Sequence, residues 1–257
     1  MKILFCAFFL LTIFFCNAQQ SILDSTNKNA TIIDKKYNTI DLIKKIAVPV
    51  TLITYGVIAQ NSKDLRALDV STKNTINSNL PGYNTKFDNY LQFAPAVSVY
   101  ALNAFGVKGK NNFRDRTIIF AMSNIISFGL VKPLKFSTKV LRPDGSSDDS
   151  FPSGHTATAF GNAEFLRQEY KNVSPWYGIL GYAAAITTGT LRVYNNRHWV
   201  SDVVAGAGFG ILSTKLAYWI YPSIKKHLFK NKNESALVLP YYQNGNMGLV
   251  ALYQFRN

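Results

Sequence analysis

The chain has 257 residues, enough for one substantial core or two small domains. It carries 28 Lys and Arg against 14 Asp and Glu, a net charge of +14, and only two cysteines and three histidines. Both cysteines, Cys6 and Cys16, fall in the first 18 residues, so the rest of the chain has no disulfide, thiol nucleophile or zinc–cysteine site. The basic balance favours anionic partners: phosphorylated substrates or an anionic membrane surface. Nucleic acid is not expected, because no interleaved basic and aromatic motif is present.

Residues 1–18 have the pattern of a secretory signal: Lys2, an apolar run from Ile3 to Phe15, then Cys16-Asn17-Ala18 before Gln19-Gln20. The alternative is an uncleaved anchor. Residues 19–41 are a polar leader rich in Asn, Thr and Lys. Helices are predicted near 42–60, 90–107, 114–134, 154–170, 176–192 and 199–221, several bounded by Pro or Gly. Between the first two, 61–89 is predicted to be a polar connection turning at Pro81-Gly82. The tail differs: SALVLPYY (235–242) and LVALYQF (249–255) flank an Asn-Gly turn and predict two short strands.

The apolar cores Ile46–Ala59, Ala94–Val107, Thr117–Val131 and Trp176–Thr190 are shorter than the ~20 residues of a membrane span. Parity adds a constraint. The signal places residue 19 outside the cytoplasm. Three crossings before the polar motifs at 135–202 would put those motifs on the cytoplasmic side, whereas none or an even number leaves them outside. The expectation is an exported, periplasmic protein, soluble or membrane-associated. The alternative is an integral inner-membrane protein with an outward-facing site, since Gly- and Ala-rich helices such as 200–221 pack closely in lipid.

Eight polar residues within 68 positions carry the chemistry: Lys135, Arg142, Ser153, Gly154, His155, Arg192, His198 and Asp202. In PSGH (152–155), Ser153 is suited to cap the following helix, whose free N–H groups attract phosphate, and Gly154 admits close approach. His155 then sits at the mouth, placed to protonate a leaving oxygen. Taken alone, PSGH is equally a helix start with an incidental histidine. His198 and Asp202 share a helix face at i and i+4. The carboxylate there can fix the imidazole tautomer and leave the other ring nitrogen as a nucleophile. The alternative is a surface His–Asp pair of little energetic weight. Arg192 offers a guanidinium fork to phosphate oxygens. Lys135 and Arg142 by themselves are weak evidence. Asp144, Asp148 and Asp149 lack the spacing of a calcium loop and are read as loop acids.

These stretches resemble the signature of the type 2 phosphatidic acid phosphatase superfamily, which includes bacterial class A acid phosphatases and vanadium haloperoxidases. That signature is Lys-x6-Arg-Pro, Pro-Ser-Gly-His and Ser-Arg-x5-His-x3-Asp, and all three spacings match over roughly 113–221. The resemblance implies an all-α bundle of about six helices over 42–230, to which the chain adds a short C-terminal β-hairpin at 235–257. It implies that His198 forms a phosphohistidine, that Asp202 orients it, and that His155 is the acid for the leaving group and then the base for water. Lys135, Arg142, Ser153, Gly154 and Arg192 would form the phosphate cradle, with no metal and no cofactor. The chain departs from the signature at Leu191, where the family has Ser. Only eight residues separate Pro143 from Pro152, which leaves little room for a lid.

The leading expectation is a phosphatase acting on phosphomonoester or pyrophosphate groups of lipids, with polyprenyl pyrophosphate, phosphatidylglycerol phosphate and lipid A as candidates. A broad-specificity soluble acid phosphatase acting on small phosphoesters is the alternative. A vanadate-dependent haloperoxidase is less favoured by the modest chain length. A non-enzymatic binder is least favoured, because every catalytic position is intact.

Overall fold

The computed structural model describes residues 39–228, 235–243 and 246–254, with side chains for 44–227. Residues 1–18, where a signal is expected, and most of the expected polar leader at 19–41 lie outside the described residues. Contacts divide the chain into two units, Met1–Asp41 and Leu42–Asn257, and the three polar motifs lie wholly within the second.

Among the described residues there are eight helices: α1 (Thr39–Ala59), α2 (Lys63–Asn79), α3 (Phe87–Leu91), α4 (Ala94–Ala104), α5 (Phe113–Thr138), α6 (Gly154–Tyr170), α7 (Pro175–Tyr194) and α8 (Val200–Leu228). The body is all-α, with two more helices than the sequence suggested. After it, β1 (Ser235–Gln243) and β2 (Asn246–Gln254) pair antiparallel, Gln243 opposite Asn246.

The largest correction concerns 61–89. It is not a plain connection, for α2 occupies Lys63–Asn79. Ser62 caps it, accepting from the Leu65 N–H at 3.4 Å. The sequence showed no apolar stripe there because much of what α2 buries is polar. Asp69, 3% exposed, accepts from the Ser201 N–H at 3.0 Å and from the Ser201 hydroxyl at 2.6 Å. A polar helix held by such long-range contacts is invisible to hydrophobic periodicity. The element expected at 90–107 is likewise divided, into α3 and α4 with a turn at Gln92-Phe93.

Helix starts are well specified. Asn112 caps α5, accepting from the Asp115 N–H at 2.9 Å. Ser153 caps α6, and Ser174 with Pro175 opens α7. Lys139 stops α5 in a left-handed conformation, φ 48°.

Helix α6 packs on α7 and α8. Against α8 the two backbones touch: a Cβ at Gly206 would lie 2.5 Å from the Ser153 carbonyl oxygen, and one at Gly210 would overlap that of Ala157. Glycine is required at both positions by this approach. Below the crossing, Val131, Phe151, Ala157, Ala205 and Phe209 form one core cluster. A second holds Ala96, Val99, Phe165, Leu166 and Tyr170. At the far end of α6, buried Glu169 is satisfied by Arg116 at 3.3 Å, the Tyr218 hydroxyl, and the Asn111 backbone and side-chain amides.

Two described helices are long and apolar enough to cross a membrane, Phe113–Thr138 and Val200–His227. The first contains the apolar core Thr117–Val131, which looks too short in the sequence although the helix continues through Lys132 and Pro133 to Thr138; the second covers the Gly- and Ala-rich stretch 200–221. On α5, Ile125, Phe128 and Phe136 are 70%, 67% and 67% exposed, an uncovered apolar face.

Candidate active site

Chain direction sets the site. Lys135 lies in the last turn of α5, Ser153 and Gly154 open α6, Arg192 ends α7, and Asp202 lies in the first turn of α8. Two helix N-termini and two basic C-terminal turns therefore contribute to one region. A helix start favours an anion, and a basic residue complements the helix end.

The link between α6 and α8 is direct: the Ser153 N–H donates to the Asp202 carbonyl at 3.0 Å. On the other side of Gly154, a Cβ would meet the Lys135 Cε at 3.7 Å. The Lys135 ammonium donates to the Asp149 backbone carbonyl at 2.5 Å. The Asp149 carboxylate receives Arg142, Nη2 at 2.9 Å and Nε at 3.0 Å, and the Ser147 hydroxyl. Asp149, read from the sequence as a loop acid, thus ties Lys135 to Arg142. Asp144 is likewise paired, accepting from Arg197 Nη1 at 2.9 Å.

His198 is 2% exposed and Asp202 fully buried. The imidazole Nδ1 faces Asp202 Oδ2 at 3.6 Å, beyond hydrogen-bond length. The same carboxylate oxygen accepts from the Ser150 hydroxyl at 2.5 Å and from the Trp199 N–H at 3.0 Å. Ser150 Oγ also lies 3.5 Å from His198 Nδ1. Burial pushes the His198 pKa down to about 4, against the opposing pull of Asp202, so the ring is neutral at physiological pH.

Arg192 is 7% exposed. Its Nη1 donates to Asp88 Oδ2 at 2.8 Å, while its Nε is buried without a partner among the described residues. Burial lowers the Arg192 pKa and Asp88 opposes that. His155 Nε2 lies 2.8 Å from Asn89 Oδ1. Its pKa is pushed down to about 4, first by burial and then by the Arg192 charge, with Asp88 opposing.

The fold gathers all eight sequence-selected residues into one region. Ser153 takes the capping position expected of it. The Ser153 hydroxyl caps Thr156 N–H at 3.4 Å and pairs with the Thr156 hydroxyl at 2.8 Å, and the residue is fully buried. Its oxygen is engaged at the helix start. The sequence missed Asp88, Asn89, Asp149 and Ser150. Only the last two stood near a motif, in the DGSSDDS run just before PSGH.

Residues 116–226 match the PAP2 superfamily, and this helical region belongs to it. The chain is 38% identical over 174 residues to a lipid A 1-phosphatase of Porphyromonas gingivalis, covering 67% of this chain and 37% of that protein. It is 31% identical over 77 residues to the bacitracin transport permease protein BcrC of Bacillus licheniformis, covering 30% of this chain and 36% of that one. The chain thus spans little more than a third of the curated relatives it matches. Among solved structures it is similar to a transmembrane PAP2 type phosphatidylglycerolphosphate phosphatase from Bacillus subtilis, at 21% identity and TM-score 0.47, over 70% of this chain and 98% of that one. It is also similar to Aquifex aeolicus LpxE, at 21% identity and TM-score 0.45, over 59% and 95%.

Proposed function

We propose that this chain is a metal-independent phosphatase of lipid phosphates, cleaving a phosphomonoester or pyrophosphate group through a phosphohistidine on His198. The observation that carries the reading is the buried, neutral His198 behind Asp202, at a helix crossing that also brings Gly154 and Lys135 together. A neutral imidazole is the nucleophilic form, and its Nδ1 is the nitrogen turned toward the carboxylate, which leaves Nε2 for phosphorus.

In the first half-reaction Nε2 attacks phosphorus in line, the P–O bond to the leaving group breaks, and protonated His155 gives its proton to that oxygen. In the second, His155 takes a proton from water, the water oxygen bonds to phosphorus, and the P–N bond breaks, releasing inorganic phosphate. Lys135, Arg142, Arg192 and the α6 amides hold the nonbridging oxygens, whose charge they stabilise in the transition state.

The lipid class rests on three supports: the similarity to a lipid A 1-phosphatase, the two apolar helices, and the exposed face of α5. We place the protein in or on the membrane with its site on the outer side, and extend the phosphatase domain beyond the matched region to 42–230, because Asp69, Asp88 and Asn89 hold site elements. The test is trapping of the phosphoenzyme by an alkaline detergent quench during turnover of a long-chain phospholipid monoester labelled in its phosphoryl group. Acid-labile, base-stable label that is absent from His198→Ala supports the reading. Turnover by His198→Ala, or label stable to acid, overturns it.

A further inference from the structure

Two adjacent residues outside the matched region contact two catalytic candidates. Asp88 and Asn89 sit on the five-residue α3, before any of the three motifs. The segment is clipped to the end of α7 by a reciprocal pair: the Thr85 N–H donates to Asn195 Oδ1 and Asn195 Nδ2 to the Thr85 carbonyl, both at 2.9 Å. Asn195 Nδ2 also reaches Asp88 Oδ1 at 3.4 Å.

The Asp88–Arg192 contact is buried on both sides, with side chains 1% and 8% exposed. It occupies Nη1 and leaves the buried Nε unpaired. A guanidinium held at Nη1 keeps its Nε–Nη2 edge, and that edge is the one that grips two oxygens of a phosphoryl group at once. The carbonyl oxygen of a side-chain amide only accepts, so Asn89 Oδ1 at 2.8 Å requires the proton of His155 on Nε2. That leaves Nδ1 to face the leaving oxygen.

We propose that Asp88 and Asn89 are positioning residues for the hydrolysis: Asp88 aims the free edge of Arg192 at the phosphoryl group, and Asn89 holds the Nε2 proton of His155 so that Nδ1 serves the leaving oxygen. The inference rests on the phosphatase reading. The His155 imidazolium gives its Nδ1 proton to the oxygen as the P–O bond breaks and the His198 P–N bond forms. The neutral ring keeps its Nε2 proton on Asn89. In the second step Nδ1 recovers a proton from water as the O–P bond forms and the P–N bond breaks.

The two halves predict different kinetic signatures. A residue that serves proton donation matters most where the leaving oxygen is basic, and general acid catalysis is worth about 10²–10⁴-fold. Full-length Asn89→Ala should lose about tenfold or more in kcat on an alkyl phosphate and stay within about twofold on p-nitrophenyl phosphate, whose leaving group needs little protonation. Asn89 is exposed, so its truncation leaves the core intact. Asp88→Asn should raise KM for both esters and weaken orthovanadate binding, read by calorimetry, by about tenfold, with Asp88→Glu recovering part of it. Equal losses on the two esters in Asn89→Ala, or unchanged vanadate affinity in Asp88→Asn, overturn the proposal. If Asp88→Asn does not fold, Asn89→Ala alone decides. Wild-type turnover with trapped phosphoenzyme but no such signatures sinks this inference and leaves the phosphatase reading standing. A wild type inert toward every ester sinks the phosphatase reading itself.

Discussion

The Ser150 hydroxyl stands against the Asp202 carboxylate, 2.5 Å from Oδ2, and is 3.5 Å from the His198 ring nitrogen. The carboxylate is therefore held by Ser150 and the Trp199 N–H, and His198 rests 3.6 Å from it. On the proposed mechanism, Ser150 shares control of the carboxylate that would orient the nucleophile. Ser150→Ala should lower kcat several-fold, and less than Asp202→Asn, because the Trp199 amide still anchors Oδ2. It should also destabilise the fold by about 1–3 kcal/mol, the cost of removing a donor from a buried acceptor. Steady-state kinetics and denaturant unfolding of both variants check this. A Ser150→Ala enzyme as impaired as Asp202→Asn would contradict it.

The two histidines set opposite limbs of the pH profile. On the proposed mechanism His155 must be protonated to act as the acid and His198 neutral to attack, and both pKa values are lowered to about 4 in the free protein. kcat/KM, which reports the free enzyme, should peak in the acid range and fall toward neutrality. Bound phosphate offsets the Arg192 charge that helps depress His155, so the alkaline limb of kcat should lie at higher pH than that of kcat/KM. Coincident limbs in the two profiles would argue against this electrostatic account.

Stability should follow the same burial. The His198 pKa in the fold is about 4, against 6.5 for the free side chain. Between those values the unfolded chain binds the proton and the folded one does not, so acidification from about pH 6.5 to 4 favours unfolding. The midpoint of thermal unfolding should drop over that window, and the drop should be shallower in His198→Gln. An identical slope in the variant would remove His198 from the explanation.

Close approach of α6 and α8 is what brings PSGH against the His198–Asp202 turn. A Cβ at Gly206 would lie 2.5 Å from the Ser153 carbonyl oxygen, a backbone atom without freedom to withdraw. Gly206→Ala should cost about 1–3 kcal/mol and lower activity by moving the α6 start. Gly129, with nothing within 4 Å, is the matched control, since Gly129→Ala should be tolerated.

Charge stabilisation by fixed cations predicts indifference to chelators. Turnover should be unchanged by EDTA after exhaustive dialysis. Loss of activity restored by a divalent ion would overturn the metal-independent mechanism.

The motifs were legible because each is local in sequence: a cap before a helix, a His–Asp pair one turn apart, a Lys and an Arg-Pro at fixed spacing. So was the start of α6, where Ser153 precedes the helix. Residue type and spacing, together with the resemblance to a family signature, pointed to the eight positions that the fold gathers. The α2 helix was not legible, because its buried contact is an aspartate on Ser201, 132 positions away. Asp88 and Asn89 were silent for the same reason: single polar residues carry no pattern until Arg192 and His155, 104 and 66 positions on, are folded against them.

The sequence by itself determined the chemistry available, since residue type and short spacing fix which donors, cations and imidazoles can act together. Only the tertiary structure decided how they are held. Burial sets the charge state of His198, the Gly206 contact sets the distance between the two helix starts, and Asp88, Asn89, Asp149 and Ser150 determine which atoms of the motif residues remain free. Those are properties of close packing between distant segments, where desolvation and contact geometry outweigh any local preference.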